Sequence, residues 1–194
     1  TPTPHRGLEI LVPVFVALAK SNPDIELDVY SSFNLYGWPD RDKQYEPLFK
    51  ICKEHPQINY HGSKPYDEVR KAYENAHIFA YPCIWQETSC RTLIEAMSAG
   101  CICIHPNYGA LPETSGGLTL MYDGDIEDIN HHANMFAHTL HYAIQAARQN
   151  EYERMLHFAK SYIDSTHSIQ SVMPRWRMVL ESLKLDKKLT KSMQ

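Results

Sequence analysis

Residues 78–105 read IFAYPCIWQETSCRTLIEAMSAGCICIH, and their pattern decides the fold. Ile78 to Tyr81 is a short apolar run of strand length, and Cys101 to His105 is a continuous apolar strand of the kind buried on both faces of a parallel sheet. Between them Thr88 or Ser89 can cap a helix that runs to Ala99 and is closed by Gly100. Strand, helix and strand joined by such short connections form a βαβ unit, whose strands lie parallel.

The alternation continues outward. Upstream, Leu8, Leu11, Val12, Phe15 and Leu18 fall at helical spacing over Gly7 to Ser21, and Asn22-Pro23-Asp24 stops that helix. Ile25 to Ser32 reads as a strand, followed by a loop holding Asn34, Gly37 and Trp38-Pro39-Asp40, and a helix from Tyr45 to His55. Ile58 to His61 is a short strand. Pro65 with Asp67 and Glu68 then starts a helix over Tyr66 to Asn75, because acidic groups oppose the positive end of the helix dipole. Downstream, the strand Leu118 to Tyr122 precedes helices over Ile126 to Asn150, Tyr152 to Ser161 and Val172 to Leu185, with a polar tail behind. The expected fold is α/β, a Rossmann-like, doubly wound parallel sheet in a single domain over 1–194. Such a domain normally begins with a strand, whereas these residues begin with a Pro-rich loop and a helix, so a first strand is missing from the pattern.

Composition narrows the function. The 194 residues carry 19 Lys+Arg against 23 Asp+Glu, a formal charge of −4, which lacks the basic surplus of a general nucleic-acid binder. With 43% hydrophobic residues a packed core is available. Five cysteines without a Cys-x-x-Cys pair fit neither a disulfide framework nor a zinc ribbon, so reduced thiols and a cytoplasmic location are expected. No apolar run approaches the roughly 18 residues of a membrane span, and the opening Thr-Pro-Thr-Pro-His-Arg does not read as a charged-then-apolar leader.

In open α/β sheets ligands lie beyond the carboxyl ends of the strands. The residues there are Thr3 to Gly7, His61 to Lys64, Pro82 to Glu95 and Pro106 to Glu113. If the helix after Tyr81 begins near Ser89, the amides of Cys90, Arg91 and Thr92 are unpaired first-turn donors that suit a phosphate. Glu87 stands just before them, and Glu95 lies within the helix on the face of Arg91. A diphosphate flanked by two hydroxyl-accepting carboxylates describes a nucleotide-sugar. Taken alone, the two glutamates read more readily as the solvated face of an amphipathic helix.

The run Tyr81 to Gly100, followed by Gly109-Ala110-Leu111-Pro112-Glu113-Thr114, resembles the C-terminal donor-binding domain of retaining GT-B glycosyltransferases of the family 4-like, group 1 type. Two glutamates separated by seven residues, Glu-Ala-Met after the second, a Gly-ended helix, a hydrophobic strand and a Gly-Gly-x-Pro-Glu-like loop, here with Gly109-Ala110 in place of Gly-Gly, recur in order. His61-Gly62 and Arg6-Gly7-Leu8 extend the likeness over most of residues 3 to 122. The resemblance implies one half of a GT-B fold in which Glu87 faces the hydroxyls of the transferred sugar and Glu95 grips the ribose. It further implies that Arg6, beside Gly7, pairs with the diphosphate. The backbone at Cys90, Arg91 and Thr92 would cradle the phosphate, and Ser63 and Lys64 lie where the loop passes the base. Cys90 stands where the family often has Gly, and Arg91 where it often has an aliphatic residue.

The resemblance implies a nucleotide-sugar donor as substrate, neither cofactor nor metal, and an N-terminal acceptor-binding domain as partner in the same protein. Two rivals share its features: a sugar-nucleotide epimerase of GT-B fold, and a non-catalytic nucleotide-sugar-binding module. The remaining chemistry-bearing residues read as structural. His131, His132, His138 and His141 form a polar helical face, Trp176, Met178, Val179 and Leu183 pack in a core or between domains, and Cys101 and Cys103 act as small buried hydrophobes.

Overall fold

A computed structural model describes residues 3–149 and 152–192, with side chains to Lys184. A short 3-10 turn, Pro4–Arg6, leads into α1 (Leu8–Ala19), β1 (Leu27–Val29), α2 (Glu46–Glu54), β2 (Ile58–Tyr60), α3 (Tyr66–Asn75) and β3 (Ile78–Ala80). Then follow α4 (Arg91–Ala99), β4 (Ile102–Pro106), α5 (Leu111–Ser115), β5 (Leu120–Tyr122), α6 (Ile129–Gln149), α7 (Glu153–Thr166) and α8 (Ile169–Ser192).

Every strand pairing is parallel, as βαβ connections require. The sheet nevertheless comes in two blocks, β1-β2 and β3-β4-β5. In the first, Val29 and Ile58 pack under Val12 and Phe15 of α1 and Phe49 and Cys52 of α2. In the second, Ile102 and Ile104 of β4 meet Phe136, Leu140 and Ile144 of α6 on one side, while Cys103 meets Leu93 and Met97 of α4 on the other. All five residues of β4 are buried, so it is the strand covered on both faces. Burying a side chain such as Phe136 or Ile104 contributes roughly 1.5–3 kcal/mol each.

Several expectations change. The helix after Tyr81 starts at Arg91 with Cys90 as its cap residue and no side-chain cap; Thr88 and Ser89 are exposed and do not cap it. The loop after β1 winds into 3-10 turns, Phe33–Tyr36 and Pro39–Tyr45. Ser32 caps the first by accepting the Asn34 amide at 2.9 Å, and Asp42 accepts the Ser32 hydroxyl and, at 2.8 Å, the Phe33 amide. The tail behind Leu185 continues α8 to Ser192. His132 is no part of a polar face: it is fully buried, 3.0 Å from the Tyr122 hydroxyl. Trp176, Met178, Val179 and Leu183 are all at least half exposed and belong to no core among the described residues. The five cysteines are all buried and unpaired.

Candidate functional site

The site is built around Glu87, in the loop between β3 and α4. Its carboxylate is buried, yet Oε1 accepts the Tyr81 hydroxyl at 2.6 Å and an ion-paired hydrogen bond from Arg6 Nη1. Charged acceptors are buried only when paired and hydrogen-bonded in this way. Arg6 is brought there by the tight entry to α1. Gly7 has φ of +111°, and a Cβ on it would stand 2.0 Å from the Pro82 carbonyl oxygen, so only glycine lets this turn close onto the end of β3. Burial works against the charge on Arg6, but Tyr81 and Glu87 more than offset it and hold the guanidinium above its ordinary pKa. Arg6 Nε remains buried without a hydrogen-bond partner, which leaves donor capacity at the site.

From the other side the loop before α5 holds the backbone of Glu87. Ala110 N–H donates to the Glu87 carbonyl at 2.9 Å, and Gly109 lies directly against the same peptide. His5 completes the rim, stacked on Phe33 with its edge against Trp85 at 4.9 Å.

The α4 amino terminus lies beside this cluster. The charges of Glu87 and Arg6 both reach the Cys90 thiol, which burial pushes up, so it is no activated nucleophile. Cys90 Sγ contacts Thr92 Oγ1 at 3.3 Å. With no side-chain cap, the first-turn amides at Arg91 and Thr92 are open to an anion. The Arg91 side chain turns outward, pairing with Glu95 at 3.1 Å and lying over Tyr66. Glu95 is half-buried, and that burial raises its pKa against the opposing pull of Arg91 and a hydrogen bond from Tyr66.

The structure therefore joins Arg6 with Glu87 and Arg91 with Glu95. Ser63 and Lys64 sit on the loop after β2, where Lys64 pairs with Glu68 at 3.7 Å. Tyr81 is the residue that sequence reasoning missed; its place as the last residue of an apolar strand was the available signal. Among the described residues no three His, Cys, Asp or Glu side chains gather into a metal-sized cluster, and no helix is long and apolar enough to cross a membrane.

Residues 3–155 match the family of glycosyl transferases group 1. No curated protein sequence matches the chain. Among solved structures, a glycosyltransferase from Rickettsia africae superposes with a TM-score of 0.69 at 17% identity, covering 91% of this chain and 44% of that one. Sucrose-phosphate synthase from Thermosynechococcus elongatus gives 0.67 at 16%, covering 94% and 43%. An Anabaena protein solved in complex with UDP-glucose gives 0.63 at 15%, covering 93% and 46%. At these identities the likeness is one of fold, a Rossmann-like half of a GT-B architecture, and the chain spans less than half of each of those proteins.

Proposed function

The chain belongs to the glycosyl transferases group 1, and from that premise we propose that it is the donor-binding half of a retaining glycosyltransferase that uses a nucleoside-diphosphate sugar. The observation that carries this reading is the buried Arg6–Glu87–Tyr81 cluster, set at the carboxyl end of β3 beside an uncapped helix amino terminus. In this reading Arg6 and the amides at Arg91 and Thr92 meet the diphosphate and stabilise it as it leaves. Glu87 accepts a hydroxyl of the transferred sugar, and Glu95 accepts the ribose. The acceptor hydroxyl, bound by an N-terminal domain of the same cytoplasmic protein, attacks the face from which the diphosphate departs. The arrangement needs no metal ion or cofactor.

Calorimetric titration with UDP, GDP and ADP, followed by the matching sugar donors, tests the reading. It predicts that one base is preferred and that the diphosphate binds more tightly than its nucleoside. Binding of none of these ligands would contradict it. Turnover of the donor only with an acceptor separates transfer from epimerisation.

A further inference from the structure

The loops at the carboxyl ends of β1 and β3 carry aromatic rings that touch in an unbroken row. His5 stacks on Phe33 at 5.3 Å and stands perpendicular to Trp85 at 4.9 Å. The Arg41 guanidinium lies over Phe33 at 5.9 Å and over Trp38 at 4.5 Å, and Trp38 meets Tyr36 at 5.7 Å. The row starts beside the buried cluster, because His5 adjoins Arg6 and Trp85 precedes Glu87 by two residues.

Its backbone is fixed while its rings stay open. Phe33 is buried with its amide held by Asp42 at 2.8 Å, the Trp38 N–H donates to the Phe33 carbonyl at 3.2 Å, and the Trp85 carbonyl accepts the Cys83 thiol at 3.2 Å. Trp85, Trp38 and Tyr36 are nevertheless each about half exposed. Arg41 covers one face of Trp38 by a cation–π contact. Rings held this way, with part of their surface in water, form a binding surface whose ordering cost is already met. The charges among them balance: Asp40 and Asp42 stand against Arg41 and Lys43, Asp40 pairs with Lys43 at 2.9 Å, and Asn34 is exposed.

We propose that this row is a saccharide-binding subsite that holds a sugar ring of the acceptor, an inference that rests on the transferase reading above. The apolar C–H face of a pyranose packs on an aromatic plate, while its hydroxyls point sideways to planar polar groups such as those of Asn34, Asp40 and Arg41. A nucleic acid or an anionic membrane calls for a basic surplus that the balanced charges do not supply. A protein partner calls for an apolar centre depleted of charge, whereas here charged residues are interspersed with the rings. Position selects the acceptor over the donor. Arg91, Glu95 and Tyr66 form the separate group that takes the nucleotide, so a ring lying on Trp85 stands next to the transferred sugar at Glu87 and apart from the nucleotide. The donor half thus grips a sugar of the acceptor, and the N-terminal domain holds the remainder.

NMR of the full-length protein with 15N-labelled tryptophan tests this, the indole signals being assigned from single Trp→Phe variants. The probes are methyl glycosides of glucose, galactose, mannose and N-acetylglucosamine with their disaccharides, nucleoside diphosphates, and vesicles of phosphatidylcholine with phosphatidylglycerol. At least one glycoside should move the Trp38 and Trp85 signals and leave that of Trp176, on α8, in place. Trp38→Ala should lower the affinity for that glycoside by about 10-fold. Nucleoside-diphosphate binding without a response to any glycoside, equal movement of Trp176, or movement of the pair by vesicles alone would overturn the subsite and leave the transferase reading standing. Binding of no nucleoside diphosphate would instead remove that reading, and the acceptor assignment with it.

Discussion

Gly109 lies against the peptide of Glu87 so closely that a Cβ added to it would stand 2.9 Å from both the nitrogen and the oxygen of that residue. Its φ of +58° is also left-handed. The loop before α5 is thus a backbone clamp on the buried carboxylate.

Gly109→Ala should accordingly push the Glu87 loop aside and cost about 1–3 kcal/mol, combining the left-handed penalty with the clash. A urea unfolding curve checks the stability. Wild-type stability and donor binding in the variant would show that the clamp is slack.

Tyr81→Phe keeps the ring but removes the 2.6 Å hydrogen bond to Glu87. A buried bond to a charged group contributes roughly 1.5–3 kcal/mol, so the variant should be less stable. In the proposed reading kcat of the full-length enzyme should fall more than donor affinity, because Tyr81 orients the Glu87 carboxylate and is not among the residues assigned to the nucleotide. A change in donor affinity alone would refute that role.

Stability should fall as pH drops from about 7.5 to 5. Burial lowers the pKa of His5, His105 and His132 below the usual 6.5. Each therefore takes its proton more readily once unfolded, so their full contribution is present above the unfolded value and is lost on acidification. Glu95 shifts in the opposite direction, so the comparison is with His105→Gln, which should flatten the slope over the same window. A unfolding midpoint that rises on acidification would contradict the assignment.

Much of the architecture was legible locally. The helix Tyr66–Asn75 was readable to the residue because Pro65 and the acidic first turn mark its start. The strand through Cys103 was plain from its unbroken apolar run, and Gly100, at φ of +88°, ends α4 as its sequence position implied. What escaped depends on contacts distant in sequence. The 3-10 turns after β1 are held by Asp42 reaching back to Ser32 and Phe33, and His132 is buried by Tyr122 of another element. Arg6 and Glu87 were each assigned a ligand-binding role, but that they pair with each other, 81 residues apart, follows only from Gly7 closing on Pro82.

The two glutamates should differ in what they bind. Glu95→Ala should weaken the nucleoside itself, whereas Glu87→Ala should spare the nucleoside and remove the affinity added by the sugar. Removing Glu87 also leaves Arg6 without its partner, so Glu87→Gln is the gentler probe, and its turnover should drop beyond any change in donor binding. Identical ligand profiles for the two alanine variants would reduce the pair to a structural role.

The most direct test is calorimetric titration of the wild type and Arg6→Ala with the preferred nucleoside diphosphate and with its nucleoside. In the proposed reading Arg6 contributes a charge-assisted contact of roughly 1.5–3 kcal/mol that exists only when phosphate is present. The variant should therefore lose about 10- to 150-fold in affinity for the diphosphate and little for the nucleoside. Equal weakening of both ligands, or undiminished diphosphate binding, would contradict the placement of the donor at the Arg6–Glu87 cluster.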